Sequence, residues 1–168
     1  QGILSHIESH QICRVSWLNR LLAKCSTAED FEKGLEVYRV YQGRGVELPA
    51  ETGTLLLKAG CRAEIPSRVL QLLKNKELEI IPTLGGIHYL MINFSLKNDS
   101  KSVMESFQVA QDLNLKPNQR SYHILIRECV DHDLIDEALN FAAQCKTAKI
   151  VPNRVTYNIL MNGCRKAN

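Results

Sequence analysis

Aromatic residues make up only 6% of this 168-residue chain, and there are only 5 prolines. So little of either argues against an all-β sandwich and for helices. No run approaches the roughly 18 consecutive apolar residues of a membrane span, so no spanning helix is expected. Among Cys13, Cys25, Cys61, Cys129, Cys145 and Cys164 there is no C-x-x-C pair, which removes the commonest zinc and redox signatures. Buried free thiols in a reducing compartment are the expectation. No basic run is present, and Lys plus Arg at 21 against Asp plus Glu at 18 leaves a net charge of only +3. That balance is compatible with a polyanionic partner without pointing to one. No Met or signal-like segment opens the chain at Gln1, so a removed leader or an excerpt is expected.

Catalytic constellations are missing too. No acidic cluster of the kind that holds Mg²⁺ for a nuclease appears, and Asp131, Asp133 and Asp136 are read as turn and capping residues. Gly85-Gly86 lacks a phosphate-loop pattern and is read as a flexible opening to a helix. His6, His10 and Cys13 would share a helix face, but without a fourth ligand no metal site is expected. The chain is expected to be non-enzymatic, with no catalytic residue, metal or cofactor.

What is present is a 45% hydrophobic, 23% charged chain with a period. Lys116-Pro117-Asn118 returns as Val151-Pro152-Asn153, and Tyr122 and Tyr157, Leu125 and Leu160, and Cys129 and Cys164 are each 35 residues apart. Stepping back by 35 reaches Pro82, followed by Ile87, Leu90, Met91 and Phe94 in the matching slots. Earlier copies are looser, around Pro49 with Leu56, Leu57 and Gly60, and before it Leu18, Leu21, Leu22 and Cys25. The units are 15–49, 50–83, 84–118 and 119–153, with a partial unit 154–168 and an N-terminal segment or cap at 1–14.

Each unit reads as two helices. In 119–153, Tyr122, Leu125, Ile126, Cys129 and Val130 form one apolar stripe. Asp131-His132-Asp133 interrupts it, Asp136-Glu137 opens a second helix burying Ala138, Leu139, Ala142 and Cys145, and Pro152 stops it. One helix pair cannot bury both stripes, but stacked pairs can. Cys25, Gly60, Phe94, Cys129 and Cys164 share one slot. A slot that accepts Cys, Gly and Phe is a packing slot, and its cysteines are expected to be buried.

Val155-Thr156-Tyr157-Asn158-Ile159-Leu160-Met161-Asn162-Gly163-Cys164, Asp136-Glu137-Ala138-Leu139 and Ile150-Val151-Pro152-Asn153 resemble the two helices and closing turn of the pentatricopeptide repeat (PPR) family. The resemblance is specific in 119–168, good in 84–118 and weak in 15–83. It implies an all-α fold, a right-handed α-solenoid of helix-turn-helix repeats of about 35 residues. It also implies an organellar protein, in a mitochondrion or alternatively a plastid, whose partner is single-stranded RNA held at about one base per repeat on the concave face.

In the family the base is read by the fifth residue of a repeat together with its last, and the second residue helps to sandwich it. The fifth places here are Asn19, Thr54, His88, His123 and Asn158; the last places are Pro49, Thr83, Asn118 and Asn153. The second places are Ser16, Glu51, Gly85, Arg120 and Val155, of which Arg120 can stack its guanidinium on a base. The pairs His88/Asn118 and His123/Asn153 depart from the family's usual combinations, as do Glu51 and Gly85. Lys58 and Arg127, in ninth places, lie one turn from the fifth places, and Arg165 lies three residues beyond Asn162, which holds the ninth place of the last unit; all three are candidates for phosphate contact. The alternative is a protein-docking repeat scaffold within a large ribonucleoprotein such as the mitochondrial ribosome. About four readable bases do not define a unique transcript, so either further repeats beyond Asn168 or a larger assembly is expected.

Overall fold

The structure, a computed structural model, describes residues 15–79 and 81–167. The segment carrying His6, His10 and Cys13 lies outside them. Nine α-helices and no strand occur among the described residues: α1 Val15–Lys24, α2 Ala28–Gly43, α3 Ala50–Arg62, α4 Pro66–Lys74, α5 Leu84–Leu96, α6 Ser100–Asp112, α7 Gln119–Asp131, α8 Ile135–Thr147 and α9 Arg154–Ala167. The helices are short and their joints are sharp. Glu64, Asn98 and Asp133 take a left-handed conformation between the two helices of a pair, and Gly45, Lys76, Asn114 and Lys149 do so after the second helix. A left-handed residue lets the next N–H groups turn back onto carbonyls of the last turn, as Ile65 N–H does to Gly60 and Ile150 N–H to Cys145.

The chain divides into two compact units, up to Gly86 and from Ile87. In the first, α1 packs on α2 and α3, and α3 on α2 and α4. Leu18, Leu22, Phe31, Leu35, Leu56, Leu57, Val69 and Leu72 fill its core, each contributing about 1.5–3 kcal/mol by burial. Gly60 stands in the slot held by cysteine elsewhere because a Cβ there would lie 2.0 Å from Val69 Cγ2 and 3.2 Å from Phe31 Cε2. The Arg62 guanidinium donates to the carbonyls of Leu22 at 2.6 Å and Cys25 at 3.2 Å, closing the C-terminal end of α1.

In the second unit α7 packs on α6 and α8, and α9 on α7 and α8. Phe107 meets Tyr122 edge-on at 5.7 Å and Phe141 at 6.2 Å, geometries that suit the ring quadrupoles. One carboxylate is inside: Glu128, 2% exposed. It accepts from Ser100 Oγ at 2.9 Å and pairs with His132 Nε2 at 3.1 Å, as a buried charge requires.

Three sequence expectations are corrected here. Leu139 is exposed rather than buried, because it lies on the side of α8 away from Ala138, Ala142 and Cys145. Cys164 is half-buried while Cys25 and Cys129 are buried, so the shared slot does not give equal shielding. The residue that caps α8 is Leu134, with no side-chain bond, and Asp133 supplies the turn instead. Gly85 and Gly86 stand in the first turn of α5, at the opening of that helix as expected, and a Cβ on Gly86 would press on Thr54 and Leu57 at 3.1–3.2 Å.

Candidate functional site

The first helices of successive repeats begin at Ala50, Leu84, Gln119 and Arg154, one residue after the last places of the preceding repeats. The last place is therefore the residue that caps the next first helix. Asn118 accepts from the N–H groups of Arg120 at 3.0 Å and Ser121 at 3.2 Å, and Ser121 Oγ takes the Asn118 N–H at 3.1 Å, which completes a capping box. Asn153 accepts from Thr156 N–H at 3.0 Å. Thr83 accepts from Gly86 N–H at 3.3 Å. Pro49 caps α3 without a side-chain bond. In Pro-Asn the asparagine starts the next first helix, while the preceding helix has already ended, at Asp112 or Thr147, before the left-handed Asn114 or Lys149; the expectation that Pro152 stops it is corrected.

The fifth places sit one turn into the first helices, and two of them meet their last places. Thr54 Oγ1 lies 2.8 Å from Thr83 Oγ1 and also accepts the Thr83 N–H at 3.0 Å. His88 reaches Asn118 through Ser121, whose Oγ is 2.8 Å from His88 Nε2. Arg120 is close enough to His88 for its charge to act there: burial first, then Arg120, pulls the His88 pKa down to about 4. Fifth, last and following second places thus form one cluster.

The other candidates are arranged differently. Asn19 Oδ1 accepts from Thr52 Oγ1 at 2.8 Å, and its last-place partner is the apolar Pro49. His123 is half-buried, and burial followed by the charge of Arg127 lowers its pKa. Among the described residues His123 and Asn153 share no hydrogen bond. Arg127 stands one turn from His123 and pairs with Asp131 at 3.6 Å on the surface, a contact of small energy. Lys58 is half-buried on α3, while Asn158 and Arg165 are exposed on α9.

Sequence reasoning missed the third places. Thr52, Ser121 and Thr156 are buried, at 0%, 1% and 2% exposure. Thr52 and Ser121 each bond the fifth-place side chain of the preceding repeat. Where the third place is Gly86, Thr54 turns to Thr83 instead. The available signal was a small hydroxyl residue recurring at an interval of 35, Ser121 and Thr156, in an otherwise apolar stripe.

Among the described residues no group of three or more His, Cys, Asp or Glu is arranged to hold a metal ion, and no helix is long and apolar enough to cross a membrane.

Residues 117–166 match the PPR repeat family. The crystal structure of the pentatricopeptide repeat protein PPR10 from maize resembles the chain at a TM-score of 0.71 and 18% identity, over 95% of this chain and 23% of that one. PPR10 in complex with an 18-nt psaJ RNA element resembles it at 0.57 and 14%, over 96% and 24%. The chain spans about a quarter of the length of these structures. No curated protein matches the sequence. The fold is an all-α repeat solenoid, and the resemblance to the PPR family read from the sequence is borne out.

Proposed function

We propose, for a chain with the repeats and the fold of the PPR family, that it is a non-enzymatic module that holds single-stranded RNA along its first helices. The observation that carries this reading is the convergence of polar side chains where consecutive first helices meet. Thr54 with Thr83, and His88 and Ser121 with the exposed Asn118 and Arg120, form two separate polar clusters, each suited to one base, and Arg120 adds a cation that can meet phosphate at the second. The RNA complex of the similar PPR10 supports it. The setting that fits the family resemblance is RNA metabolism or translation in a mitochondrion or, alternatively, a plastid.

The test is the affinity of the chain for a randomised single-stranded RNA pool at low and moderate salt. Lys58→Ala, Arg127→Ala and Arg165→Ala should weaken binding alike for all sequences, each lowering the salt slope by about one charge or less. His123→Ala or Asn158→Ala should shift base preference instead. Absence of binding even at low salt would reject the reading in favour of a protein-docking scaffold, for instance in a mitochondrial ribosome. The exposed Leu139, Tyr157 and Met161 are apolar surface available to such a role.

A further inference from the structure

Ser121 Oγ meets three polar groups, and its one proton can serve only one of them. The Asn118 N–H donates to it at 3.1 Å, so Oγ is an acceptor there. Two acceptors compete for the hydroxyl proton. Asn118 Oδ1 lies at 3.4 Å and already takes two backbone N–H groups. His88 Nε2 lies at 2.8 Å. The shorter contact, to the uncommitted atom, is the better bond. Nε2 then accepts, and a neutral ring must carry its proton on Nδ1. Burial of the ring beside Arg120 keeps it neutral at physiological pH.

We propose that Ser121 is a positioning residue for base selection: its hydroxyl holds His88 as the Nδ1–H tautomer, so that repeat 84–118 presents a hydrogen-bond donor to its base. This rests on the RNA-binding reading above and adds a role for the third place. A donor at this point favours bases with an unprotonated ring nitrogen on the pairing edge, cytosine N3 or adenine N1. It disfavours uracil and guanine, which carry N–H there. Losing one well-made bond and leaving a donor unpaired corresponds to a discrimination of about tenfold. The neighbouring repeat lacks this device. Thr156 Oγ1 directs its proton to Asn153 Oδ1 at 3.2 Å rather than to His123.

The experiment uses the full chain and two readouts. Long-range ¹H–¹⁵N spectra of the imidazoles report the His88 tautomer without any RNA. Selection from a randomised single-stranded RNA pool, read by sequencing, reports base preference. Wild type should show protonated Nδ1 at His88 and enrich cytosine or adenine at one position. Ser121→Ala should show a tautomer mixture with Nε2–H and lose that enrichment about tenfold, leaving other positions unchanged. Ser121→Thr, which keeps the hydroxyl, should restore both, and Thr156→Ala should alter neither at His88. A wild-type ring protonated on Nε2, or an unchanged preference in Ser121→Ala whose circular dichroism is that of wild type, overturns the proposal. If wild type enriches no RNA at all, the RNA reading fails and base selection falls with it. The spectrum tells that failure from a wrong tautomer.

Discussion

Repeats 84–118 and 119–153 carry the same letters at the fifth and last places, His and Asn, yet they put the histidine in different physical states. His88 is 4% exposed, bonded to Ser121 and beside Arg120. His123 is half-buried, and the third-place hydroxyl after it belongs to Asn153. The difference begins in the helices beneath. α5 has no charged residue and buries Ile87, Leu90, Met91 and Phe94 around its histidine, while α7 carries Arg127 and the internal Glu128. The same residue pair at matching sequence positions thus does not fix the surroundings of its histidine. The third-place hydroxyl of the next repeat belongs to those surroundings in one case and not in the other.

The comparison breaks most sharply in the packing. Phe94 and Cys129 occupy the same slot, at 1% and 0% exposure. Phe94→Ala should cost about 3–5 kcal/mol, and Cys129→Ala only about 1 kcal/mol for the smaller volume removed. Urea unfolding gives both values, and equal losses would mean that the two slots are not equivalent in depth.

Acid separates the histidines themselves. The pKa of His88 is about 4 in the folded chain against an ordinary 6.5. Between those values the unfolded chain binds the proton and the folded chain does not. Stability due to this group is therefore full above 6.5 and is lost as pH falls toward 4. His88→Gln should flatten thermal stability against pH across that window. His123→Gln should flatten it less, because its ring meets more solvent. A larger effect at His123 would reverse the assignment of the buried, neutral ring.

The two caps should behave more alike. Asn118→Ala and Asn153→Ala should each cost about 1 kcal/mol, with Asn118 the more costly because its side chain accepts two backbone N–H groups, those of Arg120 and Ser121, where that of Asn153 accepts one. Thermal melts would show this, and a silent Asn118→Ala would remove the capping box from the account.

The smallest effect is at the turns after the second helices. Asn114 and Lys149 have φ of 57° and 58°. Asparagine tolerates that region and lysine does so at a cost. Lys149→Gly should raise stability by about 0.5 kcal/mol and Asn114→Gly should leave it nearly unchanged.

The repeat itself was legible. Its marks are a Pro-Asn pair that returns after 35 residues and apolar spacing of three and four that makes a stripe. Pro152, Asn153 and the stripe from Tyr122 to Val130 needed no tertiary information. The burial of Leu139 and Cys164 was misread because periodicity locates a stripe but not which side residues the next helix covers.

Sequence alone determined the helical stripes and the 35-residue repeat, because apolar spacing within a turn and the return of the same residues along the chain need no tertiary contact to be read. Only the tertiary structure decided that Gly60 makes room for Val69, that Arg62 closes α1, and that Ser121 turns to His88 while Thr156 turns to Asn153. These contacts join residues brought together by the stacking of repeats. A hydroxyl has one proton to give, and which neighbour receives it depends on distances that stacking alone sets.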